Sequence, residues 1–210
     1  VCSSDLEVNV SETLELTNAQ FQTVYNVLSL ALAAMAATTL FLLVVQGRVL
    51  PRYRLALVVS AIVSFIAAYH YMRIFNSFTD AYIAVGEGMP GVQDMFQLVK
   101  GDGFNEGYRY VDWLLTVPLL LFETIAVLAL PLATRRSLLW KLIPASGLMI
   151  ILGYPGEVTA DLTSKAIWGA LSTIPFIYIL YVLFVELSRA AKSQPNQVGK
   201  ELAGLRWLLL

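Results

Sequence analysis

The segment Arg109-Tyr110-Val111-Asp112-Trp113-Leu114-Leu115-Thr116-Val117-Pro118-Leu119-Leu120-Leu121-Phe122-Glu123 sits in a run, Tyr108 to Leu130, of membrane-spanning length, yet it carries two acids. Asp112 and Glu123 are 11 residues apart. At ~1.5 Å and ~100° per residue, a helix puts them on nearly one face, roughly 16 Å apart along its axis. Acids within lipid are expensive and mark function by default. Arg109, three residues before Asp112, and Thr116, four after it, can both reach that carboxyl from its own helix. Glu123 is instead surrounded by Leu120, Leu121, Phe122 and Ile125. An ionised Asp112 and a protonated Glu123 are the expected resting pair, a proton acceptor and a proton donor at different depths. The plainer alternative is an interfacial Arg109–Asp112 salt bridge with Glu123 capping a helix. Pro118 should kink the helix between the two acids.

The rest of the chain reads as membrane as well. Of 210 residues, 58% are hydrophobic and 14% charged, with a mean hydropathy of +0.69, whereas a soluble domain is about 25% charged. A soluble enzyme is thereby excluded as the default. The 14 Lys and Arg nearly cancel the 15 Asp and Glu, for a net charge of −1. No basic field exists to hold nucleic acid. One cysteine, Cys2, permits neither an internal disulfide nor a thiolate zinc site, and no metal is expected.

Besides Tyr108 to Leu130, four stretches have spanning length: Thr23 to Val45, Leu55 to Phe75, Leu138 to Tyr154 and Ala166 to Val185. Leu202 to Leu210 opens like a sixth span, and Ala190 to Gly199 reads as a polar loop. Arg48, Arg52 and Arg54, then Arg135, Arg136 and Lys141, then Arg189, Lys192, Lys200 and Arg206 fall on alternate connections, which places that side in the cytoplasm. Residues 1–20, with Asp5, Glu7, Glu12 and Glu15, form an N-terminal segment facing outward, in which "VCSSDL" resembles a translated sequencing adapter. Residues 21–210 form the membrane domain. Its outer loop, 77–106, carries Asp80, Glu87, Asp94, Asp102 and Glu106 and is Gly-rich, so a small hairpin is expected there.

Arg-Tyr-x-Asp-Trp-x-x-Thr-x-Pro on a third helix resembles the microbial rhodopsins. Glu123, the "GYPGE" of Gly153 to Glu157 and the "WGALSTIPFIYILYVLFVEL" of Trp168 to Leu187 are similar to the proteorhodopsin and xanthorhodopsin branch. The resemblance implies an all-α membrane protein with a seven-transmembrane-helix rhodopsin fold, of which five helices and the start of the sixth are present. It implies a light-driven outward proton pump, an ion transporter rather than an enzyme, with all-trans retinal bound as a lysine Schiff base. Asp112 would then be counterion and acceptor, Thr116 its hydrogen-bond partner, Glu123 the donor, Arg109 the gate toward the exit and His70 an imidazole that keeps Asp112 ionised. Tyr71, Trp113, Leu120, Met149, Gly153, Ser172, Thr173 and Phe176 would surround the retinal, although ordinary helix packing also explains these residues. Gly169 resembles the glycine that admits a carotenoid antenna in xanthorhodopsin; a packing glycine is the other reading.

The implied setting is the bacterial inner membrane, multi-pass, with the N-terminus outside. The lipid bilayer and a homo-oligomer are the expected partners, with no nucleic acid and no protein substrate. Lys100, Lys141, Lys165, Lys192 and Lys200 all fall in loops or at span ends, so the attachment lysine is expected on a seventh helix outside this chain. A photosensory rhodopsin signalling to a partner, which could dispense with Glu123, and a pigment-free membrane fragment are the alternatives.

Overall fold

The computed structural model describes residues 15–85, 95–98, 107–128 and 130–193, with the backbone alone at 187 and 190–193. The expected sixth span, most of the N-terminal segment, Lys100 and Lys200 lie outside the described residues. Five helices carry the architecture: α1 (Asn18–Val45), α2 (Pro51–Ala81), α3 (Gly107–Val127), α4 (Leu132–Val158) and α5 (Leu162–Ser193). All five are long and apolar enough to cross a membrane. Each helix packs on the next in order; the connections are short except that between α2 and α3, which holds two strands. One end of the bundle carries Arg48, Arg52, Arg54, Arg135 and Arg136 and is called the basic end below; the opposite end is the acidic end.

Local chemistry sets the helix limits. Thr17 caps α1 reciprocally: its hydroxyl accepts from the Gln20 amide, and its own amide donates to Gln20 Oε1 at 2.9 Å. Pro51 starts α2 at a position that needs no N–H. α3 ends at Val127, short of the expected Leu130, because the residue before Pro131 disfavours helical dihedrals. α5 runs to Ser193, so Ala190 to Ser193 are helix rather than the expected polar loop. The Glu186–Arg189 pair at 2.6 Å and two alanines favour that extension.

At the acidic end, β1 (Glu15–Thr17), β2 (Tyr82–Val85) and β3 (Met95–Leu98) form an antiparallel sheet in the order β1-β3-β2. The expected hairpin is β2 with β3, pairing Tyr82 with Leu98 and Val85 with Met95. It begins after Ala81, so residues 77–81 are helix rather than loop. β1 adds an edge strand that the sequence did not announce, and Gln97 Nε2 donates to Glu15 Oε1 at 2.7 Å. Phe21 joins this sheet to the bundle. Its ring lies 3.8 Å from Phe96 and 5.0 Å from Phe78, centre to centre.

Toward the basic end, Leu121 and Ile125 of α3, Leu138 and Leu142 of α4, and Ile179 and Leu183 of α5 form a buried apolar cluster. Hydroxyls elsewhere in the helices return to their own backbone. Thr39, Thr124, Thr173 and Ser188 each donate to the carbonyl four residues earlier, which satisfies them without water.

Between α4 and α5, Asp161 caps α5, accepting from the Ser164 amide at 2.7 Å. That backbone bond, then the Ser164 hydroxyl, hold its carboxyl below the usual range. A lowered folded-state pKa means that the cap stabilises α5 above the unfolded carboxyl value of about 3.9 and is lost as pH falls through the lower folded value. Amide exchange at Ser164, corrected for intrinsic rate, should therefore quicken on acidification in the natural chain. In Asp161→Asn, whose cap does not titrate, it should stay level.

Candidate functional site

α2 and α3 together place the two acids. The 11-residue spacing on α3 turns both carboxyls toward α2, which meets each with a different group. Asp112 is 6% exposed and His70 7%, with His70 Nδ1 3.6 Å from Asp112 Oδ1. The same nitrogen lies 2.9 Å from the Ile66 carbonyl, which can only accept, so in this geometry Nδ1 carries the hydrogen. Asp112 Oδ1 is buried with no hydrogen-bond partner among the described residues. Buried carboxyl oxygens are normally paired, so this one calls for a donor.

Toward the basic end, Ser60 donates its hydroxyl to Glu123 Oε1 at 2.5 Å. Glu123 therefore does not sit in the purely apolar surroundings expected of it. Ser60 gave no separate signal, since a serine in a long apolar helix most often bonds its own backbone.

Two expectations about Asp112 are corrected. Thr116, 4% exposed, donates to the Asp112 backbone carbonyl at 2.9 Å rather than to the carboxyl, because the i−4 carbonyl is the acceptor that a helical threonine reaches first. Arg109 pairs with Glu157 on α4, guanidinium to carboxylate at 3.1 Å, rather than with Asp112. The Tyr110 hydroxyl donates to the other Glu157 oxygen at 3.5 Å. Glu157 is the acid that sequence reasoning passed over: it stood inside a quoted motif, at the same end of the bundle as Arg109, with no role assigned. Arg73 similarly donates to the Tyr108 hydroxyl at 3.0 Å.

α3, α4 and α5 bound a groove of about 240 Å³ lined by Tyr110, Trp113, Met149, Ile150, Gly153, Ser172, Thr173 and Phe176. The six residues Trp113, Met149, Gly153, Ser172, Thr173 and Phe176, all expected around the chromophore, thus converge. Leu120 and Tyr71 do not line it: Leu120 lies two turns beyond Trp113 on the same stripe, 45% exposed, and Tyr71 is half-buried on α2. A Cβ at Gly153 would come 3.2 Å from the Tyr110 ring and 3.4 Å from Ser172 Oγ, so this glycine also lets three helices converge. Ser172 ties α5 to α4 by donating to the Met149 carbonyl at 2.8 Å. At Gly169 an added Cβ would meet nothing within 4 Å.

A family model for bacteriorhodopsin-like proteins matches residues 21–210. The chain belongs to the bacteriorhodopsin-like family. The green-light absorbing proteorhodopsin of gamma-proteobacterium EBAC31A08 is 32% identical over 164 residues, 77% of this chain and 56% of that protein. Bacteriorhodopsin of Halobacterium salinarum is 38% identical over 98 residues, 47% of this chain and 36% of that protein. The chain thus spans about half the length, or less, of these curated relatives. Among solved structures, xanthorhodopsin, described as a light-driven ion pump with dual chromophore, is 44% identical with a TM-score of 0.83 over 95% of this chain and 77% of that one. A thermophilic rhodopsin is 46% identical with a TM-score of 0.82, covering 93% and 76%.

In this bacteriorhodopsin-like chain the two faces of α3 differ in exposure. The face of α3 with Asp112 and Thr116 is buried against α2, whereas the open face carries Trp113, 42% exposed, and Leu120. Close approach of α4 to α5 fixes the groove's far wall, because a Cβ at Gly156 would stand 3.1 Å from Trp168 Cβ and 3.5 Å from the Lys165 carbonyl. Gly156→Val should therefore cost about 1–3 kcal/mol through forced separation. Gly147→Ala, where a Cβ meets nothing within 4 Å, should be neutral or stabilise by up to about 1 kcal/mol. Thermal unfolding in detergent compares the two.

Proposed function

We propose that this chain forms the proton path of a light-driven outward proton pump that uses retinal. The carrying observation is that α2 supplies a separate partner to each acid on one face of α3, His70 to Asp112 and Ser60 to Glu123. Two carboxyls in unlike surroundings, at different depths on one helix, can hold protons in succession rather than share one.

The groove fits retinal by its chemistry. Its walls are mainly aromatic and aliphatic, with Ser172 and Thr173 as the polar groups, as in small-molecule sites generally. Asp112, whose buried Oδ1 has no hydrogen-bond partner among the described residues, is one residue from Trp113 and suits a cationic N–H. Tyr110, Trp113, Met149, Ile150, Gly153 and Phe176 would hold the polyene. Lys141 and Lys165 are exposed, in keeping with an attachment lysine on another helix. When bound as a protonated Schiff base, retinal supplies a proton that light releases.

The chain's own residues then define a direction. Asp112 accepts a proton at Oδ1, and His70, 3.6 Å away, steadies the carboxylate. Arg109 and Glu157, with Tyr110, lie beyond it toward the acidic end and offer the next charged groups on the way out. Glu123 holds a proton on the other side, steadied by Ser60. Leu121 and Ile125, two residues to either side of it on α3, belong to the buried apolar cluster. The Lys and Arg asymmetry assigns the basic end to the cytoplasm, so transport runs from Glu123 to Asp112 and outward. The open space at Gly169 supports a carotenoid antenna there. The setting is a homo-oligomer in the bacterial inner membrane with its N-terminus outside.

Expressed with the helices that complete the fold, Asp112→Asn should abolish light-driven acidification. Glu123→Gln should leave the first proton release intact and slow recovery by about 100-fold or more. Flash photolysis with a pH dye measures both. Acidification at the natural rate in Asp112→Asn, or unchanged recovery in Glu123→Gln, would overturn the reading.

A further inference from the structure

Near the basic end, α4 carries a furrow of about 290 Å³ lined by Arg136, Leu139, Trp140, Ile143 and Pro144. These positions span nine residues, roughly 12 Å of helix running from the charged end into the apolar span. The furrow is polar at one end only. Arg136 is exposed and has no ion-pair partner among the described residues. Helical side chains lean toward the N-terminus, so its guanidinium is carried toward the interface while its stem stays along the helix. Trp140, one turn on, is 72% exposed, and a tryptophan at this depth favours the boundary of headgroups and acyl chains. Pro144 brings no N–H to the Trp140 carbonyl, which leaves an acceptor without its helical donor at the base of the furrow. A second groove, lined by Tyr110, Val111, Leu114, Ile150, Ile151 and Tyr154, contains no charge and thus lacks any such polarity.

We propose that the Arg136–Pro144 furrow is a binding site for one anionic phospholipid, its phosphate on the Arg136 guanidinium and an acyl chain along Leu139, Trp140, Ile143 and Pro144. Charge complementarity selects the occupant. An unpaired cation over an apolar channel matches a molecule with an anion joined to a hydrocarbon chain, and a zwitterionic headgroup offsets that attraction with its own cation. The Trp140 carbonyl adds a place for a hydroxyl donor, so phosphatidylglycerol suits the site.

Native mass spectrometry of the chain in detergent, given equal phosphatidylglycerol and phosphatidylcholine, tests this. The natural chain should retain one phosphatidylglycerol in preference. Arg136→Gln should lower that retention roughly five-fold, and Ile143→Trp, which fills the channel and keeps the cation, should lower it as well. Arg52→Gln, a charge removed from the same end on α2, should leave it unchanged. Far-UV circular dichroism confirms that each variant is folded; if Arg136→Gln is not, Ile143→Trp decides. Equal retention of the two lipids, or loss caused only by Arg52→Gln, would overturn the proposal. So would competition by glycerol phosphate as effective as by whole lipid, which would mean a free-phosphate site. A disulfide-linked dimer of Ile143→Cys made in a Cys2→Ser background, with no lipid retained, would place a second copy in the furrow and equally overturn it.

Discussion

The packing of α2 against α3 is the constraint on which the rest depends. Ionisable groups in a bilayer must face protein, and on α3 the two acids are spaced so that one neighbouring helix can receive both. α2 meets Asp112 with an imidazole and Glu123 with a hydroxyl, so the acids share a face without sharing surroundings. The chain's open side follows from this choice. With the acid face turned to α2, Trp113 faces the groove bounded by α4 and α5, and Asp112 Oδ1 is left buried without a hydrogen-bond partner among the described residues.

The second requirement is that polar groups be satisfied without water. Several threonines meet it by bonding their own helix, and Thr116 in this way serves the Asp112 backbone and leaves the carboxyl alone. Arg109 places one guanidinium nitrogen on Glu157 across helices, at the acidic end where α4 approaches its terminus. Gly153 and Gly156 let α4 come close enough to α3 and α5 for such pairs to form.

Much of this was legible in the residues. The five spans, the shared face of Asp112 and Glu123, and the six groove residues all follow from apolar runs, helical period or motif resemblance. What was not legible depends on contacts between distant segments. Ser60 looks like any hydroxyl in an apolar helix until α3 is set beside it. Arg109 lies within reach of Asp112 by spacing alone, and only the position of α4 shows that Glu157 competes for it. β1 is three residues long, and its strand conformation comes from pairing with β3 some 80 residues on. The limits of α3 and α5 were misjudged for local reasons, a proline that ends one and an ion pair that extends the other.

The central claim, that α2 partners the two acids separately, is tested most directly by the carboxyl infrared bands of the chain in membranes. Asp112→Asn and Glu123→Gln assign the bands. Ser60→Ala should then move the Glu123 band and leave that of Asp112 in place, and His70→Gln should do the reverse. Bands that both move with either substitution, or with neither, would contradict separate partnering.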